Sequence, residues 1–105
     1  MNARALALGA GLVALSTLPA AAQQDFSAVE IEAEKVADGL YMLTGSGGNM
    51  GLSIGKDGTY LIDDQYAPLT PKILAAIKEL TPDPVRFVFN THYHGDHTGG
   101  NENMG

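Results

Sequence analysis

All three histidines of this chain fall within one run, Asn90-Thr91-His92-Tyr93-His94-Gly95-Asp96-His97-Thr98-Gly99-Gly100. The run follows directly on Val85 to Phe89, a short and nearly continuous apolar stretch that reads as a strand buried on both faces. Polar rings at fixed spacing need a rigid support, so this junction dictates a sheet with chemistry on the loop leaving it. In an extended segment, side chains two apart point to the same side, roughly 6.5–7 Å apart at the backbone. His92 and His94 can therefore converge on one point. Gly95, lacking a β-carbon, is expected to turn the chain sharply and bring Asp96 and His97 forward as an adjacent second pair. Gly99 and Gly100 permit close backbone packing, and a helix is expected to start near Asn101 or Glu102.

Imidazole and carboxylate at this spacing suit a metal ion. A lone histidine would read as an ordinary surface group; three with an aspartate, after an apolar strand and before Gly-Gly, do not. The chain has no cysteine, so neither a thiolate ligand nor a disulfide is available within it. A nitrogen and oxygen donor set suits zinc first, with iron or manganese as alternatives. The two pairs imply two ion positions, about 3.5–4 Å apart in sites of this kind. Coordination lowers the pKa of bound water to about 7, which supplies a nucleophile at neutral pH.

Upstream, Gln23 to Glu34 reads as an irregular lead-in. Val36 to Thr44 reads as a first strand with a turn at Asp38-Gly39. Gly45-Ser46-Gly47-Gly48 reads as a flexible turn. Asn49 to Ile54 alternates, with Met50, Leu52 and Ile54 on one face and Gly51 and Ser53 on the other. Lys56-Asp57-Gly58-Thr59 carries the Asp-Gly hairpin signal, and Tyr60 to Ile62 forms a third strand ending on Asp63 and Asp64. Thr70 is expected to cap a helix with Pro71 at its first position. Ile73, Leu74, Ile77 and Leu80 give that helix one apolar stripe, and Thr81-Pro82-Asp83-Pro84 stops it. Strands followed by a helix and another strand predict an α/β fold with a mixed sheet and flanking helices.

The first residues form a separate unit. Met1 to Arg4 is a short basic n-region, Ala5 to Leu18 is small or apolar, and Ala20-Ala21-Ala22 is a cleavage site of the A-x-A type. This is the layout of a secretory signal peptide over residues 1–22, cut after Ala22, and it predicts a periplasmic or secreted protein. The apolar run is short of the ~20 residues a membrane span needs, so no membrane association is expected after cleavage. Removing Arg4 leaves five basic residues against twelve acidic ones, spread along the chain. That balance argues against a nucleic-acid groove, which needs clustered Lys and Arg. A small-molecule substrate is the expected partner.

His92-x-His94-x-Asp96-His97, within the longer run ending at Asn101, resembles the signature loop of the metallo-β-lactamase superfamily. Leu61-Ile62-Asp63 is similar to the strand that ends in an aspartate near the site, and Gly47-Gly48-Asn49-Met50 resembles the hairpin of periplasmic members. The resemblance covers residues 36–105 and implies the N-terminal half of an αββα sandwich, with residues 23–105 a partial domain. It implies that His92 and His94 bind a first ion and that Asp96 and His97 bind a second. Asp96 would also orient the attacking water. Asp63 would hold a ligand histidine through its other ring nitrogen; spacing alone is equally consistent with a strand-end turn carboxylate. Asp64 is expected to face solvent.

Two departures from the family narrow the reading. The further ligands the family needs would lie after Gly105. Residues 23–105 alone are therefore expected to fold poorly and to bind metal weakly, because a half-sandwich leaves one face uncovered. Second, the largest group of true β-lactam hydrolases usually has Arg where His97 stands, and flavodiiron-type members carry Glu where His94 stands. The tRNA-processing nucleases share the loop, but export and acidity argue against them. The leading expectation is a metal-dependent hydrolase, with two zinc ions, acting on an ester, lactone, thioester or β-lactam. The alternatives are a non-catalytic metal-binding remnant and a mononuclear iron oxygenase of the same fold.

Overall fold

The computed structural model describes residues 25–105. The expected signal peptide and its cleavage site lie outside the described residues. Five strands form one sheet in the order β1-β2-β3-β4-β5: Glu32–Ala37, Leu40–Thr44, Met50–Gly55, Gly58–Ile62 and Val85–Phe89. The first four run as an antiparallel meander, and β5 pairs parallel to β4. A 3-10 turn (Ala67–Leu69) leads into helix α1 (Thr70–Leu80), which makes the crossover that parallel neighbours require. Two single-turn helices, α2 (Gly95–Thr98) and α3 (Asn101–Met104), follow β5. Among the described residues no helix is long and apolar enough to cross a membrane.

The mixed sheet with helices is the architecture expected, with local corrections. The lead-in is not irregular to Glu34: Glu32–Ala37 is an edge strand, exposed along its whole length. Its Glu32, Glu34 and Lys35 are charges of the kind that keep an edge from pairing with other chains. Thr70 does not cap α1. It is already helical (φ −49, ψ −47) because the 3-10 turn winds straight into the helix, and no side chain caps either element. Asp57-Gly58 does turn a hairpin: Gly55 faces Gly58, and Gly58 takes a φ of 136 that other residues avoid.

Alternation decides which side chains meet α1. Leu43, Met50, Leu52, Leu61, Leu69, Ile73 and Ile77 form the buried core, each contributing roughly 1.5–3 kcal/mol on burial. Ile73 and Ile77 are the buried part of the expected helix stripe, while Leu74 is exposed. Val85 to Phe89 is not buried on both faces. Val88 lies beside Leu61 toward the core, but Phe87 and Phe89, beside Tyr60 and Ile62, are 52% and 56% exposed on the opposite face. The rings of Tyr60 and Phe87 stack in parallel with centroids 5.9 Å apart. One face of the sheet therefore carries helix α1, and the other presents an open aromatic surface.

Candidate metal centre

Parallel pairing delivers the C-terminal ends of β4 and β5 to the same edge of the sheet. Asp63 follows β4 and the histidine loop follows β5. The Asp63 N–H donates to Phe89 O at 2.8 Å, and the Asp64 N–H to His97 O at 2.9 Å, so the two segments stay joined past the strands. To do this the chain places Asp63 and Gln65 in the left-handed region, at φ 65 and 53. Such a conformation costs a non-glycine residue about 1–2 kcal/mol and persists only where its surroundings enforce it.

Asp63 is buried and saturated with donors. Its Oδ1 accepts the Thr91 N–H at 2.8 Å, and its Oδ2 meets the Thr91 hydroxyl at 2.8 Å and His97 Nδ1 at 2.7 Å. Burial works to raise this carboxyl, but the Thr91 N–H, the His97 ring and the Thr91 hydroxyl outweigh it and hold the pKa below its ordinary 3.8. The ionised carboxylate only accepts, so His97 Nδ1 carries the hydrogen, and in the neutral ring Nε2 is the nitrogen left with a lone pair. That lone-pair nitrogen stands 3.7 Å from Asp96 Oδ2. Thr91 extends the same logic. Its one hydroxyl hydrogen goes to Asp63, so its oxygen accepts from His92 Nδ1 at 2.9 Å, and His92 Nε2 is left free.

The loop gathers the expected residues. The His92 ring lies between the other two imidazoles, with centroids 4.8 Å from His94 and 4.1 Å from His97. His92 and His94 are exposed; Asp96 and His97 are half-buried. Gly95 is not the sharp turn foreseen. It has neither a positive φ nor any atom that a β-carbon would meet within 4 Å. Instead His94 is extended (φ −60, ψ 143) and α2 begins directly after it, where the Thr98 hydroxyl donates to His94 O at 3.2 Å. Tyr93, between the first two histidines, is 84% exposed.

Asp64 is not exposed but fully buried. Its Oδ1 accepts the Gly100 N–H at 3.2 Å. With the Asn101 amide oriented to satisfy both partners, its Nδ2 donates to Asp64 Oδ2 at 2.8 Å. Burial raises this carboxyl's pKa, against the Gly100 bond and together with repulsion from Asp63. The glycine pair packs as closely as foreseen: a β-carbon on Gly99 would lie 2.6 Å from Gln65 O, and one on Gly100 2.7 Å from Asp64 O.

Residues that sequence reasoning passed over complete the site. The Gly45–Gly48 segment was expected to be a flexible turn, but Gln65, fully buried, anchors it through Ser46 N and Gly48 O. Thr91 was read only as part of the run. The one signal available was the glycine content of the turn.

As a metal site the donor set fits in chemistry, being imidazole and carboxylate with free lone pairs. It also fits in span for one pair. Two donors about 2.1 Å from a tetrahedral ion lie about 3.4 Å apart, close to the 3.7 Å between His97 Nε2 and Asp96 Oδ2. Among the described residues no three His, Asp or Glu side chains are grouped so as to cage an ion by themselves. The geometry is that of donor pairs.

The sequence profile of the metallo-β-lactamase superfamily matches residues 43–104, more than half of the chain. The chain belongs to the metallo-β-lactamase superfamily. This is a superfamily of metal-dependent hydrolases, and the mixed sheet with its helices is that fold. Solved structures agree. A point mutant of the FEZ-1 metallo-β-lactamase from Legionella gormanii superposes with a TM-score of 0.64 at 24% identity, over 76% of this chain and 32% of that one. A metallo-β-lactamase with a HARLDQ motif from Cronobacter sakazakii gives 0.63 at 23% identity, over 71% and 30%. A metallo-β-lactamase from Erythrobacter litoralis, with β-mercaptoethanol in its active site, gives 0.61 at 28% identity, over 75% and 38%. The chain thus spans about a third of the length of these superfamily structures. No functionally curated protein matches the sequence.

Proposed function

We propose that this chain carries the front half of a dinuclear centre in an exported metallo-hydrolase acting on a small molecule with an ester, lactone, thioester or β-lactam bond. The observation that carries the reading is the arrangement Asp63–His97–Asp96. Asp63 holds His97 Nδ1 at 2.7 Å, which leaves Nε2, 3.7 Å from Asp96 Oδ2, as the ring nitrogen open to an ion. His92 and His94 would hold one ion, and Asp96 and His97 the other. Zinc, when bound, would polarise the scissile carbonyl and supply a nucleophile from water near neutral pH.

The chain's own residues set the geometry for that chemistry. Asp63 and Thr91 fix which nitrogen of His97 and His92 is free, so neither ring has to choose a tautomer when it binds. Asp96, half-buried at the start of α2, would orient the attacking water. The excess of acidic residues disfavours nucleic acid as substrate, and the apolar N-terminal segment before Ala22 supports export.

The test is turnover of a reporter β-lactam and a reporter lactone by the full-length protein, with and without chelator. Hydrolysis that chelator abolishes and zinc restores is expected. Chelator-insensitive turnover would sink the metal mechanism. Metal analysis of the same preparation separates zinc from iron.

A further inference from the structure

Gln65 is fully buried, although nothing in the proposed chemistry requires it. Both ends of its amide are spent on one loop: Oε1 accepts the Ser46 N–H at 3.2 Å, and Nε2 donates to the Gly48 carbonyl at 2.5 Å. A β-carbon on Gly45 would stand 2.5 Å from Ile31 Cδ1 and 2.7 Å from Gln65 Oε1, so a side chain there would push against the Gln65 amide.

The far side of the same loop lies against Asp96 and His97. A β-carbon on Gly47 would come within 2.9 Å of Asp96 Cβ, and one on Gly48 within 2.3 Å of His97 Nε2. Real β-carbons do not approach that closely, so a side chain at either position would displace Asp96 or His97. His97 is thus gripped at Nδ1 by Asp63 and walled at its other edge by Gly48. The nearest atoms to these two positions belong to Asp96, Tyr66 and His97, not to His92 or His94.

We propose that Gln65 is a positioning residue for the Asp96–His97 pair: it pins the glycine loop, and the loop's backbone fixes the orientation of those two side chains. The inference rests on reading that pair as ligands of one ion, and it adds a selectivity the reading lacks. Gln65 acts on the ion held by Asp96 and His97 and leaves the His92–His94 position alone.

The experiment uses the full-length protein with two variants. Gln65→Met keeps the volume and loses both hydrogen bonds. Gly48→Ala leaves Gln65 intact and crowds His97 directly. Stepwise zinc affinities are measured by chelator competition, beside the thermal midpoint. Metal-free protein is examined by NMR for the hydrogen-bonded His97 Nδ1–H resonance. In both variants one zinc step weakens by about 10–100-fold, the other is unchanged, and the His97 resonance shifts or broadens. Equal weakening of both steps in parallel with the thermal midpoint, or no change in either step, overturns the proposal. A wild-type protein that binds no zinc refutes the metal reading instead, and the His97 resonance in the two variants then decides the role of Gln65 alone.

Discussion

Asp63 Oδ2 lies 2.7 Å from Nδ1 of His97, a residue 34 positions further along the chain. The contact joins the end of β4 to helix α2 and removes one of the two nitrogens of His97 from competition for an ion. Asp63→Ala leaves the ring free to change tautomer and strips the Thr91 N–H of its acceptor. Zinc affinity of the full-length protein is expected to fall about 10–100-fold, and stability by about 1.5–3 kcal/mol. Chelator competition and urea unfolding of the variant check both.

Thr91 transmits the same carboxylate to a second ring, through 2.8 Å to Asp63 and 2.9 Å to His92 Nδ1. Thr91→Val keeps the shape and removes the relay, so the two His92 tautomers become mixed. Nitrogen NMR of the His92 ring in metal-free protein is expected to report one tautomer in the wild type, a mixture in Thr91→Val, and one again in Thr91→Ser.

The neighbouring carboxyls titrate with opposite consequences. Asp63 has a folded pKa below its ordinary 3.8, so its stabilisation is present above 3.8 and lost as pH falls through the lowered value. Asp64 has a folded pKa above 3.8, so its ionised form opposes folding and stability declines as pH rises from 3.8 through the raised value. In urea unfolding of metal-free protein, Asp64→Asn is expected to gain on the wild type across that rising window. Asp63→Asn is expected to lose ground to the wild type as pH climbs toward 3.8 from below.

Lys72 secures the segment that enters the fold. Its Nζ donates to Ser27 O at 2.9 Å, to Phe26 O at 3.3 Å, and to Val29 O. Lys72→Met keeps the stem against α1 and abandons three carbonyls. Amide exchange and proteolytic cutting near Phe26 to Val29 are expected to accelerate, with a global loss of about 1–3 kcal/mol. Unchanged exchange in this segment would show that the segment is held by packing alone.

The open aromatic face makes two opposite predictions in two contexts. In residues 25–105 alone, replacing both Phe87 and Phe89 by Ser is expected to reduce binding of an apolar dye and to raise solubility, because both rings are exposed. In a longer chain that covers this face, the same double substitution is expected to destabilise by at least the ~3–5 kcal/mol of one buried Phe→Ala change.

The alternation of Met50, Leu52 and Ile54 and the stripe of Ile73 and Ile77 announced β3 and α1, because burial against a neighbour leaves its period in the sequence. Val85 to Phe89 misled for the same reason. A strand apolar on both faces reads as doubly buried, whereas the described residues cover only the Val88 side. The burial of Asp64 and Gln65 was not legible. Their partners, Gly100, Ser46 and Gly48, lie 17 to 36 residues away. A charged or amide side chain carries no local sign of such a partner. β1 escaped because its charged, exposed pattern is that of an edge, and edges lack the apolar period that reveals central strands.

The parallel pairing of β4 with β5 also governs when the site can exist. β1 to β4 are joined by short turns and can zip up from local contacts. Asp63 and Thr91 are 28 residues apart and meet only after the segment containing α1 has closed as a loop. That closure pays its entropy before any contact returns it, so contacts of this range form slowly. The histidine cluster therefore takes shape only after that closure. A ligand that binds it would act as a latch on the closed loop, lengthening the life of the native state more than hastening its arrival.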